Sequence, residues 1–234
     1  MRKILAIAFF VISSICSMNV AISKESYKIG YSTRVIVHSD EKRVSFPVKN
    51  LSSKPVLFHG QVLDKDKNNF SQYFILTPEV THLNADEEKW LQIINIGKNF
   101  PEDRESLLFL KGHFVPSSEK ETTSAIKFSY AITMKLFYRP KHLRAEIDAI
   151  DDNVKKLNFQ LVANDLVIKN ESPFFMTINT LSLDGKEVHL SGSSSMIEPF
   201  GTQKLEIQDK KPKTVTWTLV NDGGYSTVPI TRNL

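Results

Sequence analysis

Between Ser124 and Pro140 the side chains alternate, and then the alternation stops. Ile126, Phe128, Tyr130 and Ile132 are separated by Lys127, Ser129 and Ala131, which is the period of two of a strand with one apolar face. From Met134 to Tyr138 the run is broken only by Lys135, the pattern of a strand covered on both faces. Arg139-Pro140 ends it, because proline has no N–H for a ladder and restricts the residue before it. At about 3.3 Å per residue the stretch would reach roughly 50 Å, longer than a usual strand. Two readings stay open: a long strand covered by its own domain, or one whose first half offers its apolar row to something else.

The rest of the chain lacks a sustained helical period. Short runs rich in Val, Ile, Phe, Tyr and Thr recur between turn signals, which predicts an all-β chain. Six strands are expected ahead of the long one: Thr33–Val37, Val44–Val48, Val56–Val62, Tyr73–Thr77, Trp90–Ile96 and Glu105–Phe114. Pro47 suggests an edge or a bulge in the second. Seven strands ending at Pro140 match an immunoglobulin-like sandwich. Lys141 to Asp152 reads as a hinge followed by the first strand of a second module. Further strands are expected at Leu157–Val162, Leu166–Lys169, Phe174–Leu183, Val188–Leu190, Gln203–Ile207 and Val215–Leu219, with a hairpin turn at Asp184-Gly185 and another turn at Asn221-Asp222-Gly223-Gly224.

Arg2 and Lys3, an apolar run from Ile4 to Ile15, and Ala21-Ile22-Ser23 predict a secretory signal peptide over residues 1–23. Its removal would take the net charge from +4 to about +2 and remove Cys16, the one cysteine. A secreted chain without disulfides must be held by core burial, which suits two domains near 100 residues each. The even charge argues against nucleic acid, and no second apolar stretch is long enough for membrane insertion. His38, His59, His82, His113, His142 and His189 are scattered without metal-ligand spacing. A Gly-x-Ser-x-Gly elbow is absent from the sequence. Neither an enzyme, a metal nor a cofactor is expected.

Four motifs, in order, carry a resemblance: Thr33-Arg34-Val35-Ile36, Asp103-Arg104-Glu105-Ser106-Leu107, Lys135-Leu136-Phe137-Tyr138-Arg139-Pro140, and Asn221-Asp222-x-Gly224. Together they resemble the periplasmic pilus (fimbrial) chaperones of the PapD-like family. The resemblance implies two immunoglobulin-like β-sandwich domains in an L, an N-terminal one over residues 24–140 carrying the donor strand, a hinge at 141–147 and a C-terminal one over 148–234. It implies a periplasmic chaperone that binds, folds and caps pilus subunits by donor-strand complementation and delivers them to an outer-membrane usher. Ile126, Phe128, Tyr130 and Ile132 would fill the subunit's groove, a mode of recognition by strand addition. Arg34 and Lys135 would anchor the subunit's C-terminal carboxylate, and Glu105, Arg139 and Asp222 would form an ion network between the domains. The same row leaves open a self-capping homodimer of the free protein. Departures from the family's pattern are Lys111 in place of an asparagine and Gly223 in place of a tyrosine.

The alternative is a secreted immunoglobulin-like adhesion or carbohydrate-binding module, which would work through its loops rather than through the Ile126–Ile132 row and two basic side chains.

Overall fold

The computed structural model describes residues 27–97, 100–116, 128–145, 148–190, 192, 194–207 and 211–234. In chain order the first nine strands are β1 (Tyr27–Ile29), β2 (Arg34–His38), β3 (Arg43–Asn50), β4 (Val56–Leu63), β5 (Phe74–Thr77), β6 (Val80–Leu83), β7 (Glu88–Asn95), β8 (Ser106–Pro116) and β9 (Tyr130–Arg139). They form two sheets, β1-β3-β7-β5 and β2-β9-β8-β4-β6. Inward-facing alternate residues, among them Val35, Val37, Phe46, Val48, Phe58, Leu91, Ile93, Leu108 and Leu136, make one core between them. The described part of the long stretch becomes strand only from Tyr130, and Ser124–Lys127 lie outside the described residues.

Pro47 does not sit on an edge, because β3 runs between β1 and β7. Its carbonyl accepts from Gly30 N at 2.7 Å, so its hydrogen-bonding side faces the end of three-residue β1 and the ladder to β7 loses nothing. The short β1 and β6 gave no signal in the sequence.

Downstream, the expected first strand between Lys141 and Asp152 is replaced by a 3₁₀ turn at Lys141–Leu143 and a short helix, α1 (Ala149–Asn153). Asp148 caps α1, its Oδ1 accepting from Ile150 N at 2.8 Å and Asp151 N at 3.2 Å. The strands that follow are β10 (Leu157–Val162), β11 (Asp165–Asn170), β12 (Met176–Leu183), β13 (Lys186–Glu187), β14 (Met196–Ile197), β15 (Thr202–Glu206), β16 (Thr214–Leu219) and β17 (Ile230–Asn233). One sheet is β10-β11-β15 and the other β13-β12-β16-β17, with β14 also on β12. Their core is built on Trp217, Leu157, Ile168, Met176 and Leu219, with Ile150 of α1 beneath them and Leu143 packed at its margin. Asp184 and Gly185 both take positive φ, 48° and 78°, as a two-residue hairpin turn requires. The strand expected at Val188–Leu190 lies at Lys186–Glu187, and Val188 adds one N–H bond to the Leu181 carbonyl.

Each domain holds a fully buried asparagine at the same kind of turn. Asn50 Nδ2 donates to the carbonyls of Lys54 and Asn84, both at 2.8 Å, while its Oδ1 accepts from Ser52 N and Oγ. Asn170 Nδ2 donates to the carbonyls of Phe174 at 2.7 Å and Glu198 at 2.9 Å, and its Oδ1 accepts from Ser172 N and Oγ. These amides satisfy backbone groups that the turn leaves without ladder partners. Asn170→Ala should therefore lower stability by about 2–4 kcal/mol, since several buried groups lose their partner at once. Urea unfolding checks this, and Asn170→Asp should recover only the accepting half.

Candidate functional site: the cleft between the domains

The site is laid out by strand register. Arg34 of β2 and Lys135 of β9 are partners in the parallel ladder between those strands. On the other side of β9, Lys135 faces Phe109 of β8, and Phe109 faces Leu63 of β4. Arg34, Lys135, Phe109 and Leu63 thus form one transverse row across the sheet. This row lies on the outer face, because alternate neighbours such as Val35, Leu136, Leu108 and Val62 fill the first core. Leu63, Leu107, Phe109 and Phe137 are covered by Phe175 of the second domain. That explains the unbroken apolar run of β9: Met134, Leu136 and Tyr138 face their own sandwich, and Phe137 faces the other domain.

Both cations stand at the margin of this apolar contact. Arg34 is 6 % exposed, its guanidinium carbon is 5.5 Å from the centre of the Phe137 ring, and its buried Nε has no hydrogen-bond partner among the described residues. Burial lowers its pKa, while the charges of Asp222, Glu105 and Asp148 oppose that shift. Lys135 Nζ donates to Thr177 Oγ1 at 3.1 Å. Burial, then the charges of Arg34 and Lys67, push its ammonium down to about 8. Two adjacent, partly desolvated cations with donors to spare are suited to an anion that accepts several charge-assisted hydrogen bonds, a carboxylate above all.

Deeper in the cleft the domains are tied by ions. Arg139 Nη1 and Nη2 donate to the two Asp222 oxygens at 2.6 and 2.8 Å, and Nε donates to Glu105 Oε1 at 2.8 Å. Glu105 Oε2 accepts from Phe175 N at 2.9 Å. Burial pushes the Glu105 carboxyl up, against the pull of Arg139 and the Phe175 N–H. Burial likewise opposes the charge on Arg139, but the hydrogen bond to Asp222 and the two carboxylate charges win and raise its pKa. Asp148, which the sequence reading passed over, joins them: its Oδ2 accepts from Asp222 N at 2.9 Å. The turn that carries Asp222 presses on the first domain at Gly224, where a Cβ would stand 2.9 Å from Ser32 Oγ and 3.0 Å from Thr33 N. With φ at +85°, that position favours glycine twice over.

The apolar row divides along its length. Ile126 lies outside the described residues. Phe128 is 69 % and Tyr130 52 % exposed, while Ile132 is half-buried against the first core. Tyr130 rests on Tyr27, ring centres 5.2 Å apart. On one side β9 pairs with β8 along Tyr130–Tyr138, and on the other β2 reaches only Lys135–Arg139. Among the described residues no strand pairs with the other edge of Tyr130–Met134. A groove lined by Tyr27, Ile29, Ile132, Met134, Gly224 and Tyr225 runs beside that edge.

Thr177, Asp148 and Lys67 complete the cleft and were not singled out by the sequence. Asp148 alone had a local signal, an acidic side chain directly before the apolar Ala149-Ile150 with Asp151 following, the signature of a helix start.

Two family models match the chain: the pili and flagellar-assembly chaperone PapD N-terminal domain over residues 29–144, and the pili assembly chaperone PapD C-terminal domain over residues 152–229. The chain belongs to this family of pilus-assembly chaperones, which are not enzymes. Among curated relatives, the probable fimbrial chaperone ElfD of Escherichia coli O157:H7 is 31 % identical over 97 % of this chain and 94 % of its own. Among solved structures, the Salmonella enterica SafA pilin in complex with the SafB chaperone contains a chain that is 25 % identical with a TM-score of 0.79, covering 89 % of this chain and 96 % of that one. The E. coli chaperone DraB is 27 % identical with a TM-score of 0.77, covering 89 % and 98 %.

Arg139→Ala leaves Glu105 buried without its guanidinium and frees the Asp222 turn. It should cost about 3–5 kcal/mol, read by denaturant unfolding. Arg139→Lys keeps the charge but not the fork and should recover less than half.

Proposed function

We propose that this chaperone, exported to the periplasm by residues 1–23, holds an unfinished pilus subunit by lending it a strand and then passes it to an outer-membrane usher. The observation that carries the reading is the coincidence of three features on β9. An edge at Tyr130–Met134, unpaired among the described residues, runs directly into the Arg34–Lys135 pair, and Phe128 and Tyr130 of the row beside it are exposed. One similar structure, the SafA pilin in complex with the SafB chaperone, supports the choice of partner.

The register gives the geometry of the handover. A client strand ending in the cleft and lying along Tyr130–Met134 would run in the direction of β9, its terminal carboxylate meeting Arg34 and Lys135. Main-chain pairing would hold the client's edge, and Phe128, Tyr130 and Ile132 would enter its groove. Each such side chain contributes about 1.5–3 kcal/mol when buried, before the costs of association. A slip of one residue would turn the row away from the groove, so the anchor and the alternation set the same register. Glu105, Arg139 and Asp222 would hold the domains at the angle that keeps the cleft open. A second copy of the chain would compete for the same edge in the absence of client. A sugar-binding module, by contrast, would use loops.

Arg34→Ala should abolish co-purification of the cognate subunit while leaving the chaperone folded by circular dichroism. A charge at Tyr130 should do the same, and recovery of an unchanged complex from both variants would contradict the mechanism.

Lys135 adds a pH dependence. Its pKa in the folded chain, about 8, lies below the ordinary lysine value of 10.5, so its charge costs the free protein stability below about pH 8, and that cost is relieved as pH rises through the window between the two values. Client affinity runs the other way: a carboxylate needs the ammonium, so binding should weaken as pH rises above about 8. Lys135→Gln should bind more weakly, with a flat profile over the same range. Titration by fluorescence anisotropy checks both.

A further inference from the structure

Lys67 brings a further positive charge to the cleft, beside Arg34 and Lys135. It sits in the loop that follows β4, at φ +62°. The loop is closed by Lys67 N donating to the Asp64 carbonyl at 2.9 Å and Asp64 N donating to the Asn69 carbonyl at 3.0 Å. The Asp66 carboxylate is engaged within the loop, accepting from Asn68 N at 3.0 Å and Asn69 Nδ2 at 3.1 Å. Lys65 Nζ reaches across to Glu198 Oε1 of the second domain at 2.6 Å, so the loop is moored on both sides of the cleft.

From that loop the Lys67 ammonium lies 4.3 Å from the centre of the Phe109 ring. Phe109 is the direct cross-strand neighbour of Lys135, which is the neighbour of Arg34. Three cations therefore stand along one transverse row, Lys67 above Phe109, then Lys135, then Arg34. Lys67 is exposed and has a flexible stem, yet it is held over the neighbour of Lys135, an arrangement of like charges that is repulsive in the free protein. Arg34 Nε is buried and has no hydrogen-bond partner among the described residues. A single anion among the three cations adds an attraction to each and offsets their mutual repulsion.

We propose that Lys67 is the third cationic arm of the cleft and grips the same client carboxylate as Arg34 and Lys135, an inference that rests on the anchor reading above. Arg34 and Lys135 supply the desolvated donors that fix position. Lys67, at the rim, supplies attraction during approach, where an exposed charge acts mainly on association rate and salt dependence. Its seat over an aromatic face is where a cation is held at little cost until the anion arrives.

The test uses the full-length chaperone and two synthetic probes: a ten-residue peptide of alternating apolar residues ending in a free carboxylate, and the same peptide amidated. Wild type should prefer the carboxylate form. Lys67→Gln should weaken that form by about 3- to 10-fold at low salt, reduce its salt dependence and leave the amide form unchanged, with Lys67→Arg restoring it. Equal carboxylate binding by Lys67→Gln and wild type, alongside its loss in Arg34→Ala, would overturn the role of Lys67 and leave the anchor standing. Equal weakening of both peptides would assign Lys67 to packing on Phe109 and overturn the inference. If Arg34→Ala shows the wild-type preference for the carboxylate form, the anchor itself fails, and with it this inference.

Discussion

The bidentate grip of Arg139 on Asp222, backed by Glu105, is the ionic contact that joins the two domains at the cleft. Burying these charges is expensive, and such groups rarely add net stability compared with an apolar contact. They do fix geometry, because a guanidinium fork accepts carboxylates in few orientations. Arg139 closes β9, Glu105 directly precedes β8 and also takes the Phe175 N–H, and Asp222 carries the turn that lands on Ser32 and Thr33. The cleft residues are spaced by this frame: Thr177 can reach Lys135 only while the second domain is held there.

One strand serves three surfaces. The even-numbered side chains of β9 start outside their own sandwich at Tyr130 and end inside it at Leu136 and Tyr138. The odd-numbered ones pass from solvent at Thr133 through Lys135 to the interdomain contact at Phe137. The change from alternating to continuous apolarity marks where the exposed part of the strand gives way to the part buried on both faces.

That change was legible in the sequence because period-two patterning reports burial on each face directly. The hairpin at Asp184-Gly185 was legible for the same local reason, as two residues able to take positive φ. The three- and four-residue strands β1 and β6 were not, since so few residues show no period. α1 was missed because its five residues form little more than one turn, held by the Asp148 cap and by burial of Ile150 rather than by helical patterning. Charges that meet across the cleft are farther apart in sequence than any spacing rule reaches. Arg139 and Asp222 could be paired only through the family resemblance, and Thr177 and Lys67 not at all. Their roles come from register across strands and from contact between domains, which are properties of the assembled sheet.

Hydrogen–deuterium exchange of the chaperone, free and bound to its cognate subunit, tests the strand-lending claim most directly. Amides of the Tyr130–Met134 edge should slow markedly in the complex, together with those flanking Arg34. Slowing confined to surface loops, with that edge exchanging as fast as in the free protein, would contradict it.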